Sequence, residues 1–389
     1  LIVETIHLAD TIKEIFRGFS EAPLTNNLKH YLSYLAKTEQ TDDQKIDSIS
    51  GWYKAERLVL VLGAGSSVAY GLPDWNTLLQ KLLLITIKSE NTDDLEKGDI
   101  DQKAQDDHRA SILARTFSNV FEPNSLVTAR YLNRYFKKKH PNSKLAFENA
   151  IRDVLYSEVS NNDESELLKE IRRFCVAAGR SPNLNSIVTY NYDDILETCL
   201  QTIDLDIPFC PIHASGMQHK ANQLPIYHVH GYIPRSGQLT SKNKVVLSED
   251  GYHEQYANIY GWSNLTQINK FKDYNCLFIG LSFTDPNLRR LLDISKNERG
   301  DDEIHHYCFR KKYEHEVVKN RFKKLLEENE ELLDEKQDSE LNLDEVVKEL
   351  IKLMENFEEN DALSFGVGII WIDDYKEIPA YLSNIRSKE

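Results

Sequence analysis

Four short clusters in this 389-residue chain carry residue types that can do chemistry. The first is Gly63-Ala64-Gly65-Ser66-Ser67, directly after an apolar run, followed by Gly71-Leu72-Pro73-Asp74-Trp75. Glycines at such a turn let backbone come close to a diphosphate, with amides of the next helix and the two hydroxyls as donors. A tight strand-to-helix turn without a ligand has the same spelling. The second cluster is Thr189-Tyr190-Asn191-Tyr192-Asp193-Asp194, in which Asn191 offers a polar amide and either aspartate can cap a helix. The third is His228-Val229-His230-Gly231. Residues two apart on a strand share a face, so both imidazoles can point one way. No third ligand stands at useful spacing, which puts a hydrogen-bonded core histidine ahead of a metal pair. The fourth runs Gly280-Leu281-Ser282-Phe283-Thr284-Asp285-Pro286-Asn287, where Asp285 can also cap the helix that Pro286 begins.

Each cluster follows a short run rich in β-branched or large apolar residues. Arg57 to Leu62, Ser186 to Thr189, Ile226 to His230 and Cys276 to Ile279 read as strands, and uninterrupted apolar runs suit a parallel sheet covered on both faces. Val245 to Leu247, Tyr307 to Phe309 and Gly366 to Ile372 read as further strands. Helical spacing governs much of the rest: the first 50 residues up to a break at Gly51, Asn76 to Ile87, and Ile112 to Val176. Asn91 to Arg109 reads as a polar loop or the tip of a helical insertion, Lys311 to Asp361 as solvated helices rich in Lys and Glu, and Tyr375 to Ile385 as a closing helix. Strands alternating with helices predict an α/β fold with a doubly wound, Rossmann-like parallel sheet. Ligands of such sheets lie at the carboxyl ends of strands, where all four clusters fall. The organisation expected is a helical segment over 1–50 and one catalytic domain over 51–389, with a helical insertion at about 90–180 and charged helices at about 311–361.

Composition narrows the classes. The chain is 41% hydrophobic and 28% charged, enough apolar residues for a sizeable core. A net charge of −15 would repel a phosphate backbone, so direct nucleic-acid binding is not expected. Cys175, Cys199, Cys210, Cys276 and Cys308 form no C-x-x-C pair, which argues against a zinc site or a disulfide framework. No apolar run reaches the roughly 20 residues of a spanning helix. Leu1 to Phe16 carries acids and lacks a signal-peptide cleavage region, so a soluble, cytoplasmic protein is expected.

Taken in order, the clusters resemble the sirtuin family. Gly63-Ala64-Gly65-Ser66 with Gly71-Leu72-Pro73 is similar to that family's cofactor-binding opening, although Trp75 and Asn76 replace the Phe and Arg common in the deacylases. Asn191 and Asp193 align with its Thr-Gln-Asn-Ile-Asp, and His230-Gly231 with its catalytic His-Gly. The Gly280-to-Leu288 motif and Gly366 to Tyr375 resemble the sirtuin-like NAD hydrolases of prokaryotic antiviral defence. The resemblance covers about 57–84, 186–292 and 366–385.

The resemblance implies NAD as substrate and cleavage of its nicotinamide–ribose bond. Nicotinamide departs as a neutral molecule, so the pair of carboxylates usual in glycoside hydrolysis is not needed. In this reading Asn191 positions water and ribose, His230 is the general base and Asp193 orients the ribose or nicotinamide end. Gly63, Ala64, Gly65, Ser66, Ser67, Pro73, Asp74, Trp75, Thr189, Gly280, Ser282 and Asp285 make up the NAD-binding surface, with the glycine turn and Ser282 at the diphosphate and adenosine side. No metal is expected. A deacylase would bring a four-cysteine zinc ribbon that this chain lacks; an ADP-ribosyl transferase or a non-catalytic NAD-sensing subunit are the other readings. The family further implies a homo-oligomer, silent until triggered, with a HerA-family ATPase as a partner.

Overall fold

The computed structural model describes residues 40–91, 100–121, 124–159, 165–176, 184–201, 208–301, 303–328 and 343–388. The helical reading of residues 1–39 lies outside these. The first described helix, α1 (Asp42–Lys54), starts at a capping box in which Thr41 and Gln44 satisfy each other's backbone amides. Gly51 does not end it, contrary to the expected break. That glycine sits on the exposed side, while Ile46, Ile49 and Tyr53 carry the buried face past it.

Seven strands form one all-parallel sheet: β1 (Leu58–Leu62), β2 (Ser186–Thr189), β3 (Phe209–Ile212), β4 (Leu224–His228), β5 (Asn275–Ile279), β6 (His306–Lys311) and β7 (Val367–Ile372). Their spatial order is β3-β4-β2-β1-β5-β6-β7. The chain leaves β1 toward one edge, returns to pair β5 with β1, and then fills the other edge. The crevice between β1 and β5 is therefore the topological switch point of the expected doubly wound sheet.

The central strand shows why its sequence is continuously apolar. Leu58, Leu60 and Leu62 enter the core on one face, and Val59 and Val61 enter the core on the other. Each such side chain contributes about 2 kcal/mol by leaving water. Helices α2 (Trp75–Asn91), α4 (Ser125–Lys139), α5 (Ala146–Leu155), α6 (Glu166–Phe174) and α7 (Ile195–Gln201) bury apolar residues in the first core. The other core takes up Phe271 of α9 (Trp262–Asp273) and Leu288, Leu291 and Leu292 of α10 (Pro286–Arg299).

Three local points are settled by the structure. Of the two readings of Asn91 to Arg109, a polar loop or the tip of a helical insertion, residues 100–109 take the helical one, as the start of α3 (Ile100–Val120). Val245 to Leu247 forms no ladder; it gives one backbone bond, Val246 N–H to His230 O at 2.7 Å, before α8 (Glu249–Ala257). Strand β3 was not anticipated. It is an edge strand, half-buried along Phe209, Cys210 and Pro211, so it lacks the fully apolar signature of its neighbours.

Beyond β6 lie α11 (His315–Glu328), largely exposed as its charge predicts, and α12 (Leu343–Ser364), half-buried along much of its length with Val347 and Ala362 buried; α13 (Ile378–Ser387) closes the described chain. No helix among the described residues is long and apolar enough to cross a membrane. No disulfide forms among the described residues.

Candidate active site

The four clusters follow β1, β2, β4 and β5, which stand side by side, so their loops gather at one edge of the sheet. The β1 and β5 loops are locked together. Gly63 N–H donates to Ile279 O at 2.9 Å and Gly65 N–H to Gly280 O at 3.1 Å. A Cβ on Gly63 would lie 2.5 Å from Gly280 O, and one on Gly65 would lie 2.8 Å from Gly280 Cα. Gly280 is left-handed at φ +71°, and its own Cβ would meet Ser66 N at 2.6 Å. Backbone rests on backbone, and only glycine fits at the three positions.

This arrangement revises how the first cluster was expected to work. The β1 loop continues into 3-10 turns, Ala64–Ser66 and Val68–Tyr70, and α2 begins only at Trp75. The amides of Gly63, Gly65, Ser66 and Ser67 all donate within the protein, so those four are not donors at a helix start aimed at a diphosphate. Ala64 and Gly65 present exposed surface, and Val68 is 51% exposed beside them in sequence. Asp74 caps α2 through Thr77 N–H at 2.8 Å, Pro73 is half-buried, and Trp75 packs partly against the core.

The second cluster reaches the first directly. Asn191 Nδ2 donates to Ser66 Oγ at 3.2 Å and to Ser67 Oγ at 3.0 Å. Ser66 donates onward to Gly63 O at 2.8 Å, and Ser67 to Asp193 Oδ1 at 3.4 Å. With both hydroxyl protons committed, the serines accept from Asn191, which fixes the amide orientation. Asn191 Oδ1 is then buried with no partner among the described residues. Thr189 is buried and accepts the Asn191 amide at 3.1 Å. Asp193 caps α7 through Ile195 N–H at 3.1 Å, and burial pushes its carboxyl up to about 6. Asp194 accepts from Arg235 N–H at 2.8 Å, while its own amide donates to the Tyr156 hydroxyl at 3.0 Å. That contact ties the end of α5, in the helical insertion, to the site.

The third cluster separates its histidines. Strand β4 ends at His228, and His230 lies in the turn beyond it, so the two rings do not share a face. His228 Nε2 lies 2.6 Å from Glu197 Oε1 of α7, and its Nδ1 lies 3.2 Å from Asn191 O. His230 stands edge-on to Tyr190, with ring centroids 4.6 Å apart, and edge-on to Tyr252 at 5.8 Å. Its Nε2 is buried without a hydrogen bond among the described residues, 3.7 Å from Asp285 Oδ2. Burial lowers the His230 pKa, with the Asp285 carboxylate opposing, so the ring is neutral near pH 7. Gly231 must be glycine: at φ +107° its Cβ would lie 2.2 Å from Lys244 O.

In the fourth cluster Asp285 has partners other than the NAD surface expected of it. One oxygen caps α10 through Leu288 N–H at 2.7 Å, and the other accepts the Tyr252 hydroxyl beside His230. Ser282 is exposed, with its hydroxyl 2.7 Å from that of Thr284. Glu197 and Tyr252 escaped sequence reasoning. An acid inside the apolar turn Ile195-Leu196-Glu197 was a signal for the first; nothing local marked the second.

Two buried polar atoms without protein partners, Asn191 Oδ1 and His230 Nε2, thus sit in strand-end loops of an open sheet. They supply one fixed acceptor and one basic nitrogen, a donor set that suits a hydroxylated ligand or an ordered water. The one grouping among the described residues with metal-ligand spacing, His315, Glu316 and Asp344, lies elsewhere, and Lys319 occupies Asp344 at 2.6 Å.

Residues 185–333 match the family model of a SIR2-like domain. Two relatives named NAD(+) hydrolase ThsA also match. The one from Enterococcus faecium is 22% identical over 262 residues, covering 66% of this chain and 47% of its own length. The one from Cytobacillus dafuensis is 23% identical over 335 residues, covering 85% of this chain and 53% of its own. The chain therefore spans about half the length of the curated relatives it matches. The matched range starts at β2, yet the structure seats the β1 glycine turn against its β5 loop and under its Asn191. Residues 185–333 are thus similar to a SIR2-like domain, and they lie in a parallel α/β sheet of the doubly wound kind.

Proposed function

We propose that the protein hydrolyses NAD at the nicotinamide–ribose bond, releasing nicotinamide, ADP-ribose and a proton. The observation that carries this reading is the pair of unpartnered buried atoms, Asn191 Oδ1 and His230 Nε2, in the strand-end crevice. The ThsA relatives support the choice of substrate.

The residues divide the work as follows. Asn191, its amide nitrogen held by Ser66 and Ser67, accepts from a ribose hydroxyl or the attacking water. Bond breaking leaves an oxocarbenium-like ribose and neutral nicotinamide, so no acid is required at the leaving group. Neutral His230 takes the proton that the water or ribose hydroxyl gives up, and Asp285 stabilises the imidazolium that results. Asp193 supports the Ser67 side of the site. Ala64, Gly65 and Ser282 form the surface for the diphosphate and adenosine.

The test is an NAD consumption assay on purified protein with chromatography of the products, beside Asn191→Ala and His230→Ala. Release of nicotinamide and ADP-ribose, abolished in both variants, is expected. Undiminished turnover in the two variants overturns the assignment.

We also infer a cytoplasmic role in antiviral defence through NAD depletion, exercised by a homo-oligomer with a HerA-family ATPase as partner. Ile112, Leu113, Val120 and Phe121, exposed along α3, offer an apolar face for such contacts. Native mass measurement, and the NAD assay repeated with the ATPase added, test assembly and partner in turn.

A further inference from the structure

Asn191 has four polar atoms, and the structure fixes three. Its main-chain N–H donates to Thr189 Oγ1, and its side-chain NH2 is divided between Ser66 and Ser67. Its carbonyl oxygen faces Nδ1 of His228, which reaches across from the neighbouring strand. Oδ1 alone is left for a ligand. How well that atom is aimed depends on how firmly the carbonyl behind it is held.

The holding group is unusual for an interior. His228 and Glu197 show 1% and 5% side-chain exposure and lie 2.6 Å apart. Each ring nitrogen of His228 faces an acceptor, Glu197 Oε1 on one side and Asn191 O on the other. A neutral imidazole has one N–H and serves one of them; an imidazolium serves both. The Tyr232 ring packs on the imidazole at 4.4 Å. The other ionisable neighbours are Asp193 before α7 and His213 after β3. Burial alone would lower the His228 pKa, but Glu197, the Asn191 carbonyl and Asp193 together raise it. His213 is pushed down to about 4 and stays neutral, so it adds no opposing charge near pH 7.

We propose that Glu197 and His228 form a buried positioning pair, with His228 as a doubly donating imidazolium that locks the Asn191 backbone and so aims Asn191 Oδ1. Neither residue touches the substrate; both act through Asn191, and the proposal rests on the NAD-cleaving role of that residue. Loss of the His228 proton leaves the remaining N–H on Glu197 and frees the Asn191 carbonyl. Activity then falls on the alkaline side as His228 titrates.

Two measurements test the pair. The first is the pH profile of NAD turnover for the unmutated protein and Glu197→Gln. Removing the carboxylate lowers the His228 pKa, so the alkaline limb of kcat moves to lower pH by about one unit or more, with KM changed less than about twofold. The second is backbone amide exchange over residues 189–193, corrected for intrinsic chemistry, across the same pH range. Protection in the unmutated protein is expected to fall as the His228 imidazole, followed by NMR, loses its proton. In Glu197→Gln it falls at lower pH.

An alkaline limb that stays in place in Glu197→Gln overturns the proposal, as does protection of 189–193 that ignores the His228 titration. If Glu197→Gln does not fold, the unmutated protein's exchange profile decides alone. If the unmutated protein turns over no NAD, alone or with the ATPase added, while exchange follows His228, the pair stands and the NAD hydrolase reading fails.

Discussion

The two halves of the strand-end crevice are built by different physics. On the β1–β5 side, Gly63 and Gly65 lie against Gly280 with no side chain between them. On the β2–β4 side, buried ionisable groups do the holding: His228 on Glu197, Asp193 at the start of α7, and His230 near Asp285. The first half sets shape and is indifferent to pH. The second sets which atoms face a ligand, and its geometry depends on where protons are. A site of this kind separates its rigid wall from its adjustable chemistry.

That contrast can be broken most severely on the chemical side. Asn191→Ala or His230→Ala should lower NAD turnover by roughly 100-fold or more while the protein stays folded, since each removes one positioned group and no packing of the β1–β5 seam. Parallel thermal melts and steady-state rates check this. Breaking the seam should show the reverse pattern. Gly280→Ala puts a Cβ 2.6 Å from Ser66 N at a left-handed φ. A loss of about 3 kcal/mol in urea unfolding is expected, from strain and overpacking together.

A gentler probe is Asp193→Asn. Burial raises the Asp193 pKa from 3.8 to about 6, so folding favours the protonated acid. The stability this carries is complete below the unfolded pKa and is lost as pH rises through the folded one. The amide, which can still cap α7, avoids that loss. The variant should match the natural protein near pH 4 and exceed it by roughly 2 kcal/mol near pH 8 in urea unfolding. The smallest effect is spectroscopic. His228 should titrate above the usual histidine value and His230 below it, in one NMR titration, because burial, which lowers both, is outweighed at His228 by Glu197, the Asn191 carbonyl and Asp193 together, and is not outweighed at His230 by Asp285. Coincident titrations would erase the distinction between the two histidines.

Much of the fold was legible because burial on both faces leaves an unmistakable run, as in Leu58 to Leu62 and Cys276 to Ile279. Strand β3 was not, since an edge strand with a half-buried Phe-Cys-Pro stretch has no such run. The site's residue types were legible as well, through the order of four short clusters. Their partners were not. Glu197 lies 31 positions before the histidine it contacts, and Tyr252 lies 33 before Asp285; only the closed fold shows either pairing. Spacing along the chain also misled at His228 and His230, which share a face only if the strand continues. It stops at His228, and the turn sends the second ring toward Tyr190 and Asp285.

The glycine seam has a consequence for synthesis of the chain. Its two sides, at residues 63–65 and 280, are separated by most of the described sequence, and pairing of β1 with β5 is among the most non-local contacts in the sheet. A growing chain on the ribosome can form the β1, β2 and β4 loops early, but it lacks the wall that completes the crevice until β5 and the loop through Asp285 have emerged. Assembly of the site therefore waits for β5, and an abortive, truncated product ending before residue 280 would have neither the seam nor His230's carboxylate neighbour.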